Sequence, residues 1–403
     1  MIRARLSTVT SRSRRRFLRV AAGLPLGAAG WLGGCSPPHA GTGAPRGQSG
    51  GPTPKPPLPG TAILVPRVNG GINVHPARCL GCSPTDPLLD PEVVRVQLAA
   101  VYQMGFDGIR VTTPLDRSNF LAAIPYVRAA RAIGVDAVCL LSGFEGLTLA
   151  RALWDPNKRK DVLKLYMDVF ATPPEPVRPG LRGLGPKGTG RVAFEILNEP
   201  AGTVGVPPDV YVNEILGPCF YDLRSLDPFA GQSTQLIVVS AAEAGNQDGP
   251  PRIRAMLEAG LENVCDRINY HIYDRGIIPL LSAHVRGIVW VTESGVPATA
   301  EHLAWVRDVF PEIRQQIPDV LRIFYYDLFE PAPGGYRVLD LTLTPEGVKA
   351  VVESTALHDY WAANVLEAAA GHPLVGFDEL IPDMQPYLPT LADTQAFDAA
   401  PWE

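Results

Sequence analysis

The strongest constraint on the fold is a regular alternation of two kinds of segment along residues 61–360. Short segments rich in β-branched and aromatic residues recur eight times, apolar on both faces, which is typical of parallel β-strands. Such strands need a covering layer on each side of the sheet. The predicted strands are Ala62–Val74, Gly108–Thr112, Val135–Leu141, Arg191–Leu197, Gln235–Ser240, Arg267–Ile272, Gly287–Thr292 and Leu321–Tyr326.

Amphipathic segments separate these strands. In Ser118–Ile133, for example, Phe120 and Ile124 recur at helical spacing. The predicted helices are Pro91–Met104, Ser118–Ile133, Lys158–Phe170, Pro208–Leu226, Pro251–Ala259, Gly276–His284, Ala300–Gln316 and Pro345–His358. Eight strand–helix units predict an α/β fold, a (β/α)8 TIM barrel. A doubly wound open sheet is the alternative, but no Gly-x-Gly-x-x-Gly turn follows the first strand to support it.

The first 34 residues resemble a bacterial export signal. Ser13–Arg19, with its consecutive arginines, is similar to a twin-arginine signal, and the apolar stretch Val20–Gly34 is too short to span a bilayer. Leu32–Cys35 resembles a lipobox, which implies cleavage before Cys35 and lipidation of its sulfur. The resemblance predicts an exported protein, lipid-anchored in the cell envelope on its periplasmic or extracellular face. The alternative is an ordinary signal peptide with a chance cysteine.

Two further segments flank the predicted barrel. Residues 35–60 form a predicted tether, because positions 36–60 hold eight Pro and six Gly with almost no apolar side chains. Residues 361–403 are rich in Pro and Asp and are predicted to form an extension packed on the barrel. The domain prediction is therefore a signal peptide over 1–34, a tether over 35–60, a barrel over 61–360 and an extension over 361–403.

The charge balance argues against nucleic acid as a partner. The chain carries 36 basic and 41 acidic side chains, and residues 1–34 account for seven arginines and no acid. Cleavage would leave 29 basic against 41 acidic side chains, a formal charge of −12. Proteins that bind nucleic acid are usually basic. The membrane contact is therefore predicted to come from the lipid on Cys35, and no oligomeric state is predicted.

Cysteine spacing leaves two interpretations of one loop. Cys79 and Cys82 form a lone Cys-x-x-Cys, which an exported protein could hold as a disulfide. A zinc site with His75 is the other interpretation, but a second pair of ligands is missing, so no metal site is predicted.

Two glutamates come at the ends of predicted strands. The apolar run of the fourth strand stops at Asn198-Glu199-Pro200, and the seventh strand is followed by Glu293. Because the carboxyl ends of barrel strands carry the chemistry of this fold, both carboxylates are expected at one rim. A pair of carboxyl groups about 5–5.5 Å apart is the catalytic arrangement of retaining glycosidases.

The positions of these residues resemble those of the clan A glycoside hydrolases. The resemblance rests on Asn198-Glu199-Pro200 on strand four, Thr292-Glu293-Ser294-Gly295 on strand seven and Arg110 on strand two. It implies that Glu199 is the acid/base, that Glu293 is the nucleophile and that Arg110 lies beside the nucleophile. No metal or organic cofactor is implied.

The same resemblance implies four substrate-binding positions besides Arg110. Asn198 is expected to bind the sugar 2-hydroxyl, and His271 and Tyr273 to reach the site from the end of strand six. The clan often has a Trp on strand eight, where this chain has none, so Tyr326 or Phe329 is the expected replacement.

The predicted function is that of a retaining glycoside hydrolase. It would cleave a β-linked glycan or glycoside by double displacement through a glycosyl-enzyme, and its partner would be a carbohydrate. The alternative is a non-catalytic carbohydrate-binding lipoprotein on a glycosidase-like barrel, because fold does not decide function. The sugar itself is left open, since specificity lies in the loops that follow the strands.

Overall fold

A computed structural model of the 403-residue chain describes most of the predicted barrel. The described residues are 70–74, 91–114, 116–142, 146–175, 189–230, 236–282, 287–297, 299–328, 336, 339–343, 350–354, 357, 360 and 381–402. The chain separates into two units, Met1–Pro59 and Gly60–Glu403. The first unit, with the predicted signal, Cys35 and nearly all of the tether, lies outside the described residues, as do His75, Cys79, Cys82 and Phe329.

Eight parallel strands form a (β/α)8 TIM barrel, so the fold prediction is confirmed. Strands β1 to β5 are Gly70–Val74, Gly108–Thr112, Asp136–Leu141, Val192–Ile196 and Ile237–Val239, and β6 to β8 are Ile268–Ile272, Val289–Ser294 and Val320–Tyr325. Neighbours in sequence are neighbours in the sheet, and β1 pairs with β8. A bridge between Val239 and Arg267 joins β5 to β6 and closes the ring.

The described strands lie within two residues of the predicted bounds, apart from the start of β1, which lies outside the described part. One difference concerns the site. Strand seven was predicted to end at Thr292, but β7 continues through Glu293 to Ser294. The reason is pairing, because Ile272 aligns with Ser294 and Ser294 with Tyr325. Glu293 is therefore held by the sheet rather than by a loop.

Helices follow the strands, and short π-helical or 3₁₀ turns adjoin several of them. The described α-helices of five residues or more are Pro91–Gln103, Arg117–Ala132, Gly146–Trp154, Pro156–Tyr166, Gly217–Leu226, Gly249–Glu258, Ile278–Ser282, Phe310–Gln316 and Leu391–Asp398. Asp116 begins the second of them by accepting a hydrogen bond from the Asn119 N–H. Among the described residues, no helix combines the length and hydropathy that crossing a bilayer requires.

The helix predicted over Pro345–His358 was wrong in its central part. Residues Leu339–Leu343 (β9) and Ala350–Ser354 (β10) instead form an antiparallel pair, with Val352 aligned to Leu341. The β-branched residues Val351 and Val352 favour a strand once a partner strand is present. The helical pattern predicted a local structure, and the pairing with a segment several residues earlier overrode it.

The described part of the C-terminal segment packs on the helix Arg117–Ala132. The ring centroids of Phe397 and Phe120 lie 4.9 Å apart, and Arg128 Nη2 lies 2.7 Å from Asp393 Oδ1. The last helix begins at Thr390, which forms a reciprocal capping box with Asp393.

The interior of the barrel is arranged in layers along its axis. At the amino-terminal end of the strands, Arg322 pairs with Asp107 and Asp136 at 3.0 Å each. An apolar layer follows, formed by Val138, Ala193, Ile237, Val239, Trp290 and Phe324. Gly71 borders this layer, where a Cβ would come within 2.3 Å of the Phe324 ring. The apolar layer separates the ion cluster from the polar residues nearer the carboxyl ends.

Candidate active site

Four polar residues lie buried inside strands β1, β2, β4 and β6, among mostly apolar neighbours. Asn73 on β1, Arg110 on β2, Glu195 on β4 and Asn269 on β6 are each 1 % exposed or less. A buried charge or amide is costly unless it is hydrogen-bonded, so these side chains must bind one another. They form a polar layer directly above the apolar one.

Arg110 is the centre of this layer. Its Nε and Nη2 donate to Glu195 at 2.6 and 2.7 Å, and Nη2 also donates to Asn198 Oδ1 at 3.0 Å. Its Nη1 donates to Glu293 Oε1 at 2.5 Å and to Asn73 Oδ1 at 3.3 Å. A guanidinium has five N–H donors, and these contacts use all five. Arg110 thus links four strands and lies between two carboxylates.

Glu293 is held in its ionised form. The phenol of Tyr273 donates to Glu293 Oε2 at 2.6 Å, while Arg110 binds Oε1. Burial raises the pKa of Glu293, but the charges of His271 and Arg110, with hydrogen bonds from Tyr273 and Arg110, outweigh it and lower the pKa to about 2. The Glu293 side chain is only 10 % exposed. It is therefore a buried carboxylate, charged at neutral pH.

Glu199 faces Glu293 from the end of β4 and is more open to solvent, with a side chain 24 % exposed. His271 lies between the two, with Nδ1 3.0 Å from Glu199 Oε1 and 3.5 Å from Glu293 Oε2. Burial lowers the pKa of His271, but the charge of Glu293 and the contacts with Glu199 raise it above its ordinary value. With a proton on Nδ1, His271 donates to Glu199 and fixes that side chain.

The backbone around Glu199 is strained and anchored. Leu197 and Glu199 have φ of 67° and 44°, in the left-handed region that residues other than glycine rarely adopt. The Glu199 N–H donates to the Ala242 carbonyl at 3.0 Å, and the Ala201 N–H donates to Glu243 Oε1 at 2.9 Å. The chain after β5 therefore holds the chain after β4 in a turn that aims Glu199 over the barrel mouth.

The two carboxyl groups and His271 are close together. Glu199, His271 and Glu293 each offer an atom, and these atoms lie within 4.8 Å of one another. Among the described residues this is the group with the geometry of a cation site. The charge that Glu293 needs is already supplied by Arg110, and its second oxygen already accepts from Tyr273. This donor set suits a pair of reacting carboxyl groups better than a metal ion.

Asn198 and an aromatic cluster border the pair. Because Asn198 Oδ1 accepts from Arg110, its NH₂ is the part of the side chain that can donate to a ligand. Tyr326 lies beside Tyr273 and Tyr336, with ring centroids 5.9 and 5.2 Å away, and is half-buried. Tyr273 and Tyr336 are 5.6 Å apart. The three rings form one wall next to Glu293.

The structure thus brings together Glu199, Glu293, Asn198, Arg110, His271 and Tyr273, with Tyr326 on the adjoining wall. Sequence reasoning missed Glu195, Asn73 and Asn269 below the pair, Glu243 beside it, and Tyr336. A usable signal existed for Glu195 and Asn73, because each is a lone polar residue within an apolar strand, whereas Asn269 shares its strand with Tyr270 and His271. For Tyr336 and Glu243 the sequence offers no comparable signal, since both lie in loops.

Likeness to known proteins is found among solved structures. No family model matches the chain, and no curated protein matches it. Solved glycoside hydrolases do match. β-Glucosidase 2 from the fungus Trichoderma reesei is 11 % identical, with 76 % of this chain and 99 % of that chain covered and a TM-score of 0.47. The rice β-glucosidase Os3BGlu6 is 10 % identical, with 73 % and 97 % covered and a TM-score of 0.48.

An endo-β-1,4-mannanase from Cellulomonas fimi is 14 % identical, with 76 % of this chain and 71 % of that chain covered and a TM-score of 0.41. At identities of 14 % or less and TM-scores of 0.48 or less, these likenesses carry no argument about the chain. What this chain does is argued from its own side chains, because one barrel serves many chemistries.

Proposed function

We propose that this protein is a retaining glycoside hydrolase acting on a β-linked glycan or glycoside. The observation that carries the proposal is the pairing of Glu199 with Glu293, whose nearest oxygens lie within 4.8 Å across the barrel mouth. Retaining enzymes hold their two carboxyl groups about 5–5.5 Å apart, whereas inverting enzymes leave roughly 6.5–9.5 Å for a water molecule. The separation supports direct attack by a carboxylate.

The environments of the two carboxyl groups support different roles. Glu293, ionised beside Arg110 and Tyr273, is the nucleophile that attacks the anomeric carbon. Glu199, more exposed and bound to His271, donates a proton to the leaving oxygen. The glycosyl–Glu293 ester then forms as the leaving group departs. Glu199, now ionised, takes a proton from water, whose oxygen attacks the anomeric carbon and releases Glu293.

Substrate binding would use the groups around the pair. The Asn198 NH₂ would donate to the sugar 2-hydroxyl, and this hydrogen bond would tighten in the oxocarbenium-like transition state. Tyr326 and Tyr336 offer apolar ring surface of the kind that packs against sugar rings, which takes the place of the Trp that this chain lacks on strand eight. The β configuration belongs to the proposal because the strand-end positions of Glu199, Glu293 and Arg110 resemble those of the clan A glycoside hydrolases.

Covalent trapping tests the proposal. A 2-deoxy-2-fluoro glycoside with a good leaving group should label the protein once per chain, and peptide mass spectrometry should place the label on Glu293. Glu199→Gln and Glu293→Gln should each lower kcat by at least about 10³-fold while the protein stays folded. A label elsewhere, or turnover that survives both changes, would refute the mechanism. A protein that binds sugars but is neither labelled nor active would support the non-catalytic alternative.

We further propose that the enzyme is exported and anchored by lipid on Cys35, a proposal that rests on the order of arginines, apolar stretch and cysteine at the N-terminus. Mass spectrometry of the mature protein should find an N-terminal diacylated cysteine, and Cys35→Ala should release the protein from membranes. Wild-type protein recovered in the soluble fraction with residues 1–34 intact would contradict the anchor.

A further inference from the structure

Glu195 takes no part in the proposed reaction, yet it is the one carboxylate of the polar layer and is completely buried. Its side chain is 0 % exposed. Its Oε2 accepts from Arg110 Nε, and its Oε1 accepts from Arg110 Nη2 and from Asn269 Nδ2 at 2.9 Å. A carboxylate withdrawn from water is strongly unfavourable unless a partner of opposite charge and further hydrogen bonds compensate it. Glu195 therefore depends on Arg110, and Arg110 on Glu195.

The two carboxylates around Arg110 share one positive charge. A guanidinium is planar and presents its donors in a rigid fork, so its orientation decides which donors face which acceptor. Glu195 engages the edge formed by Nε and Nη2 through two hydrogen bonds. Only Nη1 then reaches Glu293, at Oε1. The other oxygen of Glu293 is bound by Tyr273 instead.

We propose that Glu195 is a positioning residue that acts on the nucleophile through Arg110. It turns the guanidinium so that one donor, and not the whole edge, binds Glu293, and it balances part of the charge of Arg110. Glu293 then remains a carboxylate that can still give an electron pair to the anomeric carbon. This role rests on the proposed glycosidase function, since it concerns the same nucleophile.

The expected consequence of losing Glu195 follows from the geometry. In Glu195→Gln the side-chain NH₂ or CO faces the Arg110 edge without a negative charge, so the guanidinium is free to turn its Nη1 and Nη2 edge towards Glu293. A carboxylate bound at both oxygens by an uncompensated cation is a weaker nucleophile. We expect kcat to fall roughly 10- to 100-fold, the range seen when outer groups that orient metal ligands are removed, with KM changed less than about threefold.

The barrel offers a matched control. Asp136 is also buried and also pairs with an arginine of the barrel interior, Arg322, at 3.0 Å, but at the opposite end of the barrel. Asp136→Asn should destabilise the protein as Glu195→Gln does and leave kcat and KM at wild-type values. Glu195→Asp keeps the charge but withdraws the carboxylate by one methylene, so we expect a smaller loss of kcat.

The experiment combines kinetics with crystal structures of the full mature chain. Steady-state kcat and KM are measured on an aryl glycoside for wild type, Glu195→Gln, Glu195→Asp and Asp136→Asn, with Tm recorded for each. The inference predicts a fall in kcat confined to the Glu195 variants, and Arg110 bound to both oxygens of Glu293 in Glu195→Gln. Wild-type kcat in Glu195→Gln, or an equal loss in Asp136→Asn, would overturn it.

The crystal structures separate this inference from the proposed function. If wild type cleaves no glycoside, the proposed function fails, and the orientation of Arg110 in the variant still decides the positioning role. An Arg110 that stays in its wild-type orientation would overturn that role. If Glu195→Gln does not fold, Glu195→Asp carries the test, and we expect its Arg110 Nη1 to lie farther from Glu293 Oε1 than the 2.5 Å of the wild type.

Discussion

Replacing Tyr273 with Phe is the most direct test of how Glu293 is kept ionised. The substitution removes one oxygen, whose proton is donated to Glu293 Oε2 across 2.6 Å in a buried setting. The ring remains, so its packing against Tyr326 and Tyr336 is preserved. Arg110 still binds the other oxygen of Glu293. The change therefore isolates one hydrogen bond to the charged form of the carboxylate.

The magnitude follows from the strength of such a bond. A hydrogen bond to a charged group contributes about 1.5–3 kcal/mol, and 1.36 kcal/mol corresponds to one pKa unit. Loss of the bond should therefore raise the pKa of Glu293 from about 2 to between roughly 3 and 4. Because the nucleophile must be ionised, the acidic limb of kcat/KM should move up by the same amount.

Two measurements check this expectation. The first is the pH profile of kcat/KM on an aryl glycoside. The second is a carbon NMR titration of glutamate carboxyls labelled with carbon-13, with the Glu293 signal assigned by its loss in Glu293→Gln, and it does not depend on activity. Tyr166→Phe is the matched control, because Tyr166 donates a buried hydrogen bond of equal length, 2.6 Å, to the Thr113 carbonyl. An unmoved Glu293 titration in Tyr273→Phe would refute the reasoning.

Three further changes test other parts of the structure. Because folding lowers the pKa of Glu293 from 4.5 to about 2, its charge contributes about 3 kcal/mol of stability, present above pH 4.5 and lost as the pH falls towards 2. The unfolding free energy of Glu293→Gln, measured with denaturant, should therefore fall less steeply over that pH interval than that of wild type. Parallel curves of unfolding free energy against pH would contradict this. In Gly245→Ala the new Cβ would lie 2.6 Å from the Tyr273 ring, so we expect a displaced phenol, a lower kcat and a loss of about 1–3 kcal/mol, measured by kinetics and unfolding. In Phe397→Ala the packing against Phe120 is lost, which should lower the unfolding free energy by about 3–5 kcal/mol and leave kcat at 25 °C unchanged; an unchanged Tm would show that the C-terminal helix does not stabilise the barrel.

Strand prediction was successful wherever the signal was local. For Gly108–Thr112 the predicted and observed bounds agree, because an apolar run rich in β-branched residues is read directly from the chain. The exceptions arose where a distant segment decided the outcome. Glu293 belongs to β7 because Ser294 aligns with Tyr325, and residues 350–354 form a strand because residues 339–343 pair with them.

The candidate site also contains residues that the sequence predicts and residues whose role only the tertiary structure reveals. The two glutamates were predicted from their places at strand ends, and Arg110, His271 and Tyr273 from the resemblance to the clan A glycoside hydrolases. The structure brings these side chains together through hydrogen bonds. The role of Glu195 was not predictable, because nothing in Phe194-Glu195-Ile196 tells which cation the carboxylate meets. The left-handed backbone at Leu197 and Glu199 was equally hidden, since neither residue type favours it.

The sequence by itself determined the class of fold and the rim at which the acids lie. Both follow from the order of apolar strands and amphipathic segments, a pattern that holds along the chain. Only the tertiary structure decided that one guanidinium serves both Glu195 and Glu293, and that Glu293 is ionised with a pKa of about 2. The physical reason is that burial and charge act through space. Closing the ring brings side chains from β2, β4, β6 and β7 together in a medium with little water, where their interactions set one another's charge.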